Sequence, residues 1–255
     1  MGLVSICLLP VKPILPINPE VIMKKIAVIL SGCGNRDGSE LQESLGLLLA
    51  IDRQGWQYQC FAPEGFFEVV PHIDVEDTEE EGTVLDMEQR DIFVESARIA
   101  RGNLLPLEEY KPADYDALAL PGGMGAARNL STFAFDGPRM EVIDSVQDAI
   151  LETYRAHKPV VAMCIAPMVL AKVLGRYEVA LTLGPDDNAA SQVAKGFGCK
   201  VQACGPTDVC VDAEHNVITT PAYMAASHIS EIFDGAEHMV AELEQMLNNP
   251  EKHSL

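Results

Sequence analysis

Cys164 is the residue of this chain whose type and setting best suit covalent chemistry. It stands in Pro159-Val160-Val161-Ala162-Met163-Cys164-Ile165-Ala166-Pro167. The apolar, partly β-branched residues 160–163 suit a short buried strand. From Ile165, apolar residues recur at helical spacing, and Pro167 falls in the first turn, where a missing N–H costs nothing. Cys164 thus marks a strand-to-helix turn, with small Ala162 and Ala166 two positions to either side. That is the pattern of a nucleophile elbow with sulfur in place of the serine oxygen. A thiol at a helix start faces free N–H groups and the positive end of the dipole, which favour thiolate. The pattern alone also fits a buried cysteine that fills space between strand and helix.

Two further features belong to the same edge of an α/β sheet. Glu40 falls in the first turn of the helix that follows the first strand, at the edge where such proteins place ligands. An acid stabilised by the helix dipole is the plainer account of it. Gly122-Gly123 follow another buried strand directly, so their backbone N–H groups are free to point at a ligand. The N–H groups of Gly123 and Ile165 would form the two halves of an oxyanion hole, with Gly122 beside them. A tight turn needing positive φ explains the same glycines without a ligand.

The elements that must hold these residues alternate between strand and helix, which predicts one doubly wound, mostly parallel α/β domain. Residues 26–31 read as a buried strand. Ser39 is suited to cap a helix ending near residue 54, with Leu41, Leu45, Leu48 and Leu49 on its inner face. Residues 57–61 and 115–120 read as strands. Residues 63–91 are acidic and irregular, and residues 88–101 and 140–156 read as helices. Residues 179–183 and 200–203 read as strands around a short helix at 187–197. Residues 209–211 and 217–220 suggest a hairpin, and 221–247 a long helix interrupted near Gly235. Residues 1–22 carry Pro10, Pro13, Pro16 and Pro19, suit no helix, and read as a disordered extension or a start-site artefact ahead of a domain over 23–250.

Composition narrows the function further. The 255 residues hold 38 acids against 18 bases, a formal net charge of -20. Nucleic acid and anionic membrane surfaces, which need a basic face, are disfavoured, and no apolar run is long enough to span a bilayer. A cytoplasmic protein is the expectation, since residues 1–22 have neither the basic start of a secretory signal nor the arginine of a transit peptide. Seven cysteines without a C-x-x-C pair indicate neither a disulfide framework nor a zinc site. The first glycine loop lacks the G-x-G-x-x-G spacing, so no dinucleotide cofactor is expected.

Four segments together carry a resemblance: Ser31-Gly32-Cys33-Gly34 with Asp37-Gly38-Ser39-Glu40, Pro121-Gly122-Gly123 with Asn129-Leu130-Ser131, Met163-Cys164-Ile165-Ala166-Pro167, and Thr219-Thr220-Pro221-Ala222-Tyr223-Met224. The chain resembles the ElbB family of glyoxalase-like, or enhancing-lycopene-biosynthesis, proteins of the class I glutamine amidotransferase-like (ThiJ/PfpI) superfamily. The resemblance implies a flavodoxin-like sandwich with Cys164 as nucleophile and Glu40 hydrogen-bonded to its sulfur. It places Cys33, Asn129 and Tyr223 at the pocket and calls for no metal or other cofactor. It implies a glutathione-independent glyoxalase that turns glyoxal into glycolate and methylglyoxal into lactate through a cysteine hemithioacetal, and a homodimer is common among such relatives. Two departures stand against other superfamily chemistries. No His-x-Glu pair precedes the last helix, as glutamine hydrolysis needs, and Ile165 replaces the histidine that follows the cysteine in protease-type members. The alternative function is a redox sensor or partner-binding protein linked to isoprenoid metabolism, with Cys164 oxidised and Cys33 as resolving thiol.

Overall fold

The computed structural model describes residues 23–73 and 88–249. Residues 1–22, the acidic stretch at 74–87 and residues 250–255 lie outside the described residues. One sheet of seven strands organises the chain: β1 Lys25–Ile29, β2 Gln57–Ala62, β3 Leu104–Pro106, β4 Ala117–Leu120, β5 Val160–Met163, β6 Cys210–Asp212 and β7 Val217–Thr220. Their order is β6-β7-β5-β4-β1-β2-β3, parallel throughout except for the antiparallel β6–β7 hairpin. The central strands are apolar on both faces and buried on both, as helix-covered parallel strands must be. Helices α1 Leu41–Arg53, α2 Ile92–Ile99, α3 Met124–Arg128, α4 Asp144–Arg155, α5 Pro167–Leu174, α6 Ala189–Gly196 and α7 Ile229–Asn248 supply that cover. The expected doubly wound α/β class is what the topology shows.

Strand order reverses between β1 and β4. The loops leaving these neighbours diverge to opposite faces and open a crevice at their carboxyl ends. The Ser31–Glu40 loop, the Gly122-Gly123 turn and the Cys164 elbow all leave the sheet at this edge, from β1, β4 and β5 respectively. Sheet topology therefore gathers three segments that lie far apart in the chain.

Several expected boundaries move. Residues 88–91 are not helical: Gln89–Asp91 pairs antiparallel with Phe66–Glu68, and α2 starts only after Asp91 caps it by accepting from Val94 N at 2.9 Å. β3 was not anticipated, because its three residues, one of them Pro106, carry too little periodicity to stand out. The long last helix starts at Ile229, after a 3-10 turn at Ala222–Met224, and runs unbroken through Gly235. Glu231 fixes that start by accepting from Ser227 N and His228 N at 2.8 and 2.9 Å.

α1 holds the largest difference. Its inner face is Glu43, Ser44, Gly46, Leu47, Leu48, Ala50 and Ile51, while Leu41 and Leu45 each stay 44% exposed. The expected face, read from the leucines, was rotated about the helix axis. α1 packs on α7 through Gly46, where an added Cβ would sit 3.6 Å from the Ala236 Cβ and 3.8 Å from the Ile232 carbonyl oxygen. Those are ordinary contacts, so Gly46→Ala should stabilise the protein by about 0.5–1 kcal/mol through helix propensity. At Gly235 a Cβ would meet the Pro206 oxygen at 3.2 Å and Thr220 Oγ1 at 3.3 Å, so Gly235→Ala should have the opposite sign. Urea unfolding of both variants checks this; a less stable Gly46→Ala would contradict the packing described.

Candidate active site

The elbow is a strained turn. Cys164 has φ 61, in the left-handed region that non-glycine residues occupy at a cost of about 1–3 kcal/mol. Three features hold it there. Cys164 N donates to the Thr220 carbonyl at 2.9 Å, one step beyond the β5–β7 ladder. Ala166 N donates to the Met163 carbonyl at 3.0 Å, closing the turn. Ala162 and Ala166 are both fully buried, so larger side chains would not fit. The result is a thiol only 8% exposed at the carboxyl edge of the sheet, with the N–H groups of Gly123 and Ile165 directed at its sulfur.

The carboxyl beside this sulfur belongs to Glu43, not to Glu40. Glu43 is fully buried on the inner face of α1 and hydrogen-bonds the Cys164 side chain. Its Oε1 accepts from Tyr223 N at 3.3 Å. Its Oε2 has no nitrogen or oxygen partner among the described residues. A Cβ added to Gly122 would overlap both Glu43 Oε2 and the Cys164 Cβ, so only glycine lets the two side chains close over the β4 turn. The Gly122 N–H turns toward the Glu43 carboxyl. It therefore serves the acid, whereas the N–H groups of Gly123 and Ile165 are turned to the sulfur.

Glu40 has a different position. It is the N-cap of α1, in place of the expected Ser39, and its Oε2 accepts from Glu43 N at 2.6 Å. Ser39 instead turns back on the loop, its Oγ accepting from Ser31 N at 2.8 Å. Glu40 N donates to the Gly122 carbonyl at 2.9 Å, which ties α1 to the β4 turn. Gly123, at φ 96, packs so tightly on this junction that a Cβ would overlap Glu40 N. Helical geometry explains the exchange of acids. Glu43 precedes Leu47 by four residues and Ala50 by seven, the spacing of one buried face, whereas Glu40 precedes the first helical turn. The signal was present in the sequence, but Leu41 and Leu45 drew the inner face away from it.

The other expected pocket residues are partly reassigned. Asn129 Nδ2 donates to the Ser31 and Asp37 carbonyls at 2.8 and 2.7 Å, so its amide braces the β1–α1 loop and is not free for a ligand. Tyr223 is partly exposed, its N–H on Glu43 and its hydroxyl on Gln42 Oε1. Cys33 and Cys164 are both free thiols, and the charges that reach Cys33 are those of Glu95, Arg98, Asp37 and Glu40. No group of three metal-ligating side chains occurs among the described residues. Four of the described histidines are engaged elsewhere: His72 near Asp37, His215 Nδ1 on Asp212 at 2.9 Å, His228 at the α7 cap and His238 Nδ1 on the Thr207 carbonyl. The titratable side chain that acts on the thiol is the Glu43 carboxyl.

Burial decides the charge state of that carboxyl. It pushes Glu43 up to about 8, against the pull of the contact with Cys164 and the N–H groups of Tyr223 and Gly122; the nearby Glu40 adds to the rise. Burial also raises the Cys164 thiol, and an ionised Glu43 raises it further, while the N–H groups of Gly123 and Ile165 lower it. A protonated Glu43 has no charge to repel the thiolate and donates to it, so the pair sheds its first proton more readily than two separate buried groups would. Because Glu43 binds its proton more tightly folded than unfolded, its burial costs stability progressively as pH rises from near its ordinary 4.5 through about 8. Glu43→Gln should therefore gain on the wild type by a few kcal/mol between about pH 5 and pH 8. Unfolding curves across that window check this, and wild-type and variant stabilities that stay parallel would refute a buried, protonated Glu43.

Comparison with known proteins agrees with the fold. The mitochondrial ES1 protein homolog of Rattus norvegicus is 38% identical over 224 residues, covering 85% of this chain and 81% of the relative. The mitochondrial glutamine amidotransferase-like class 1 domain-containing protein 3 of Homo sapiens matches to the same extent. A crystal structure of an isoprenoid biosynthesis protein with an amidotransferase-like domain from Ehrlichia chaffeensis superposes with TM-score 0.77 at 31% identity, covering 88% of this chain and 99% of that one. Glyoxalase III of Candida albicans, at 19% identity and TM-score 0.53 over 86% of this chain and 97% of its own, shares the fold. No family model matches the chain. The curated relatives, including the ES1 protein of Danio rerio, are mitochondrial by name, which overturns the cytoplasmic expectation.

Proposed function

The chain belongs to the ES1 family of glutamine amidotransferase-like class 1 proteins, and from that premise we propose that it is a glutathione-independent glyoxalase acting on small dicarbonyls. Within the family we read it as ElbB-like, in keeping with the isoprenoid-biosynthesis neighbour at 31% identity. The observation that carries the reading is a fully buried carboxyl set against an elbow thiol, with one oxygen left unpartnered. Such an acid can hand a proton over and take another back within one turnover, as an isomerisation between adjacent carbons requires.

The steps balance with these groups alone. The Cys164 thiolate adds to the aldehyde carbon, and the new alkoxide, steadied by the N–H groups of Gly123 and Ile165, takes the proton of Glu43. Glu43, now a carboxylate, removes the hydrogen from that same carbon and returns it to the neighbouring carbonyl carbon, while the hydroxyl proton of the first carbon passes to the oxygen of the second. The product is a thioester of the hydroxy acid. Water cleaves it, releasing glycolate from glyoxal or lactate from methylglyoxal and restoring the thiol.

Loss of glyoxal and methylglyoxal without glutathione is the test. Cys164→Ala should abolish turnover, and Glu43→Gln should lower it by about 10²-fold or more, the usual weight of a positioned acid–base group. Glu40→Gln should retain far more activity than Glu43→Gln. A wild type without turnover, or a fully active Glu43→Gln protein, would sink the reading. The first outcome would point instead to oxidation sensing at Cys164.

A further inference from the structure

The first helix after the switch point of an α/β sheet usually offers bare N–H groups to an anion. In this chain those groups are already taken. The Glu40 carboxylate accepts from Glu43 N at 2.6 Å and also engages the N–H groups of Gln42 and Leu41. A glutamate is not among the favoured caps, which are Ser, Thr, Asp and Asn, and Ser39 is adjacent but faces the loop. The helix start beside the thiol is closed as well: Pro167 has no N–H, and the Ile165 N–H is directed at the sulfur. The ionisable groups acting on Tyr223 are the acids Glu40 and Glu43, and backbone N–H groups hold Glu40.

We propose that Glu40 is a specificity-determining residue: it occupies the anion seat at the start of α1 and so restricts Cys164 to electrophiles that bear no carboxylate or phosphate. An anionic substrate would find the N–H groups at the start of α1 taken and would meet a like charge at Glu40. Neutral dicarbonyls pass; α-keto acids and phosphorylated aldehydes do not. The inference rests on the reading of Cys164 as the nucleophile, and it assigns to Glu40 a role distinct from proton transfer.

Alkylation of Cys164 by neutral iodoacetamide and anionic iodoacetate tests it, with each rate followed on the Cys164 peptide by mass spectrometry. Free cysteine supplies the intrinsic ratio of the two rates. At low salt the iodoacetamide-to-iodoacetate ratio at Cys164 should exceed that of free cysteine by about tenfold, the size of one partly screened charge interaction. Glu40→Ser, which keeps a capping oxygen but frees N–H groups, should lower the ratio to that of free cysteine or below. Glu40→Gln removes the charge at nearly constant shape and should lower it too, which serves if the serine variant does not fold. Taking a ratio cancels any change in thiolate content. A wild-type ratio equal to that of free cysteine, or one unaltered by either substitution, would overturn the proposal. Because alkylation needs no turnover, charge discrimination without glyoxal turnover would defeat the function and leave this inference standing. Full turnover with an unaltered ratio would do the reverse.

Discussion

A carboxyl buried without a cation is the constraint on which the site depends. Left ionised, Glu43 would rank among the most costly groups in the protein, because it is fully buried and, among the described residues, no lysine or arginine is set against it. Keeping its proton removes that cost and turns it into a donor. The side chain set against it is that of Cys164. The thiol in turn occupies a left-handed turn that an ordinary loop would relax out of. Each half makes sense of the other: the strain aims the sulfur, and the buried acid makes an aimed sulfur useful.

The surrounding structure holds this pair by backbone rather than by side-chain charge. Gly122 lets the β4 turn pass beneath both groups, and its carbonyl and N–H are divided between Glu40 and Glu43. Tyr223, from the segment between β7 and α7, closes the far side through its own N–H. Asn129 and Ser39 lock the β1–α1 loop from within. Backbone groups on rigid strands and helix starts have little freedom to lose, so they position a buried acid with less entropic cost than long charged side chains would. A site built this way presents polar atoms without a cationic receptor, which suits a small uncharged carbonyl compound.

The two neighbouring acids of α1 show how one helix separates two roles. Glu40 lies before the first turn, partly exposed, where the N–H groups of the helix start oppose the rise in its pKa that burial causes. Glu43 lies three residues later inside the core, where burial outweighs the N–H groups of Tyr223 and Gly122 and dictates protonation. Three residues of helix turn the chain by most of a circle, and this rotation alone makes one acid a cap and the other a proton carrier.

The sequence by itself determined the α/β class, the strand-to-helix turn at Cys164 and the glycine turn after β4, because these depend on local features: runs of apolar residues, small neighbours, Gly and Pro. It also showed that no histidine follows the nucleophile. It did not determine which glutamate meets the sulfur, since Leu41 and Leu45 fit an inner face as well as Leu47 and Ile51 do, and the choice is made by packing of α1 on α7 and the sheet. Nor did it determine that the amide of Asn129 and the N–H of Gly122 are spent on protein partners. Those assignments join residues up to 180 positions apart, as Glu43 and Tyr223 are. Strand order at the switch point brings them together, and periodicity along the chain carries no record of such contacts.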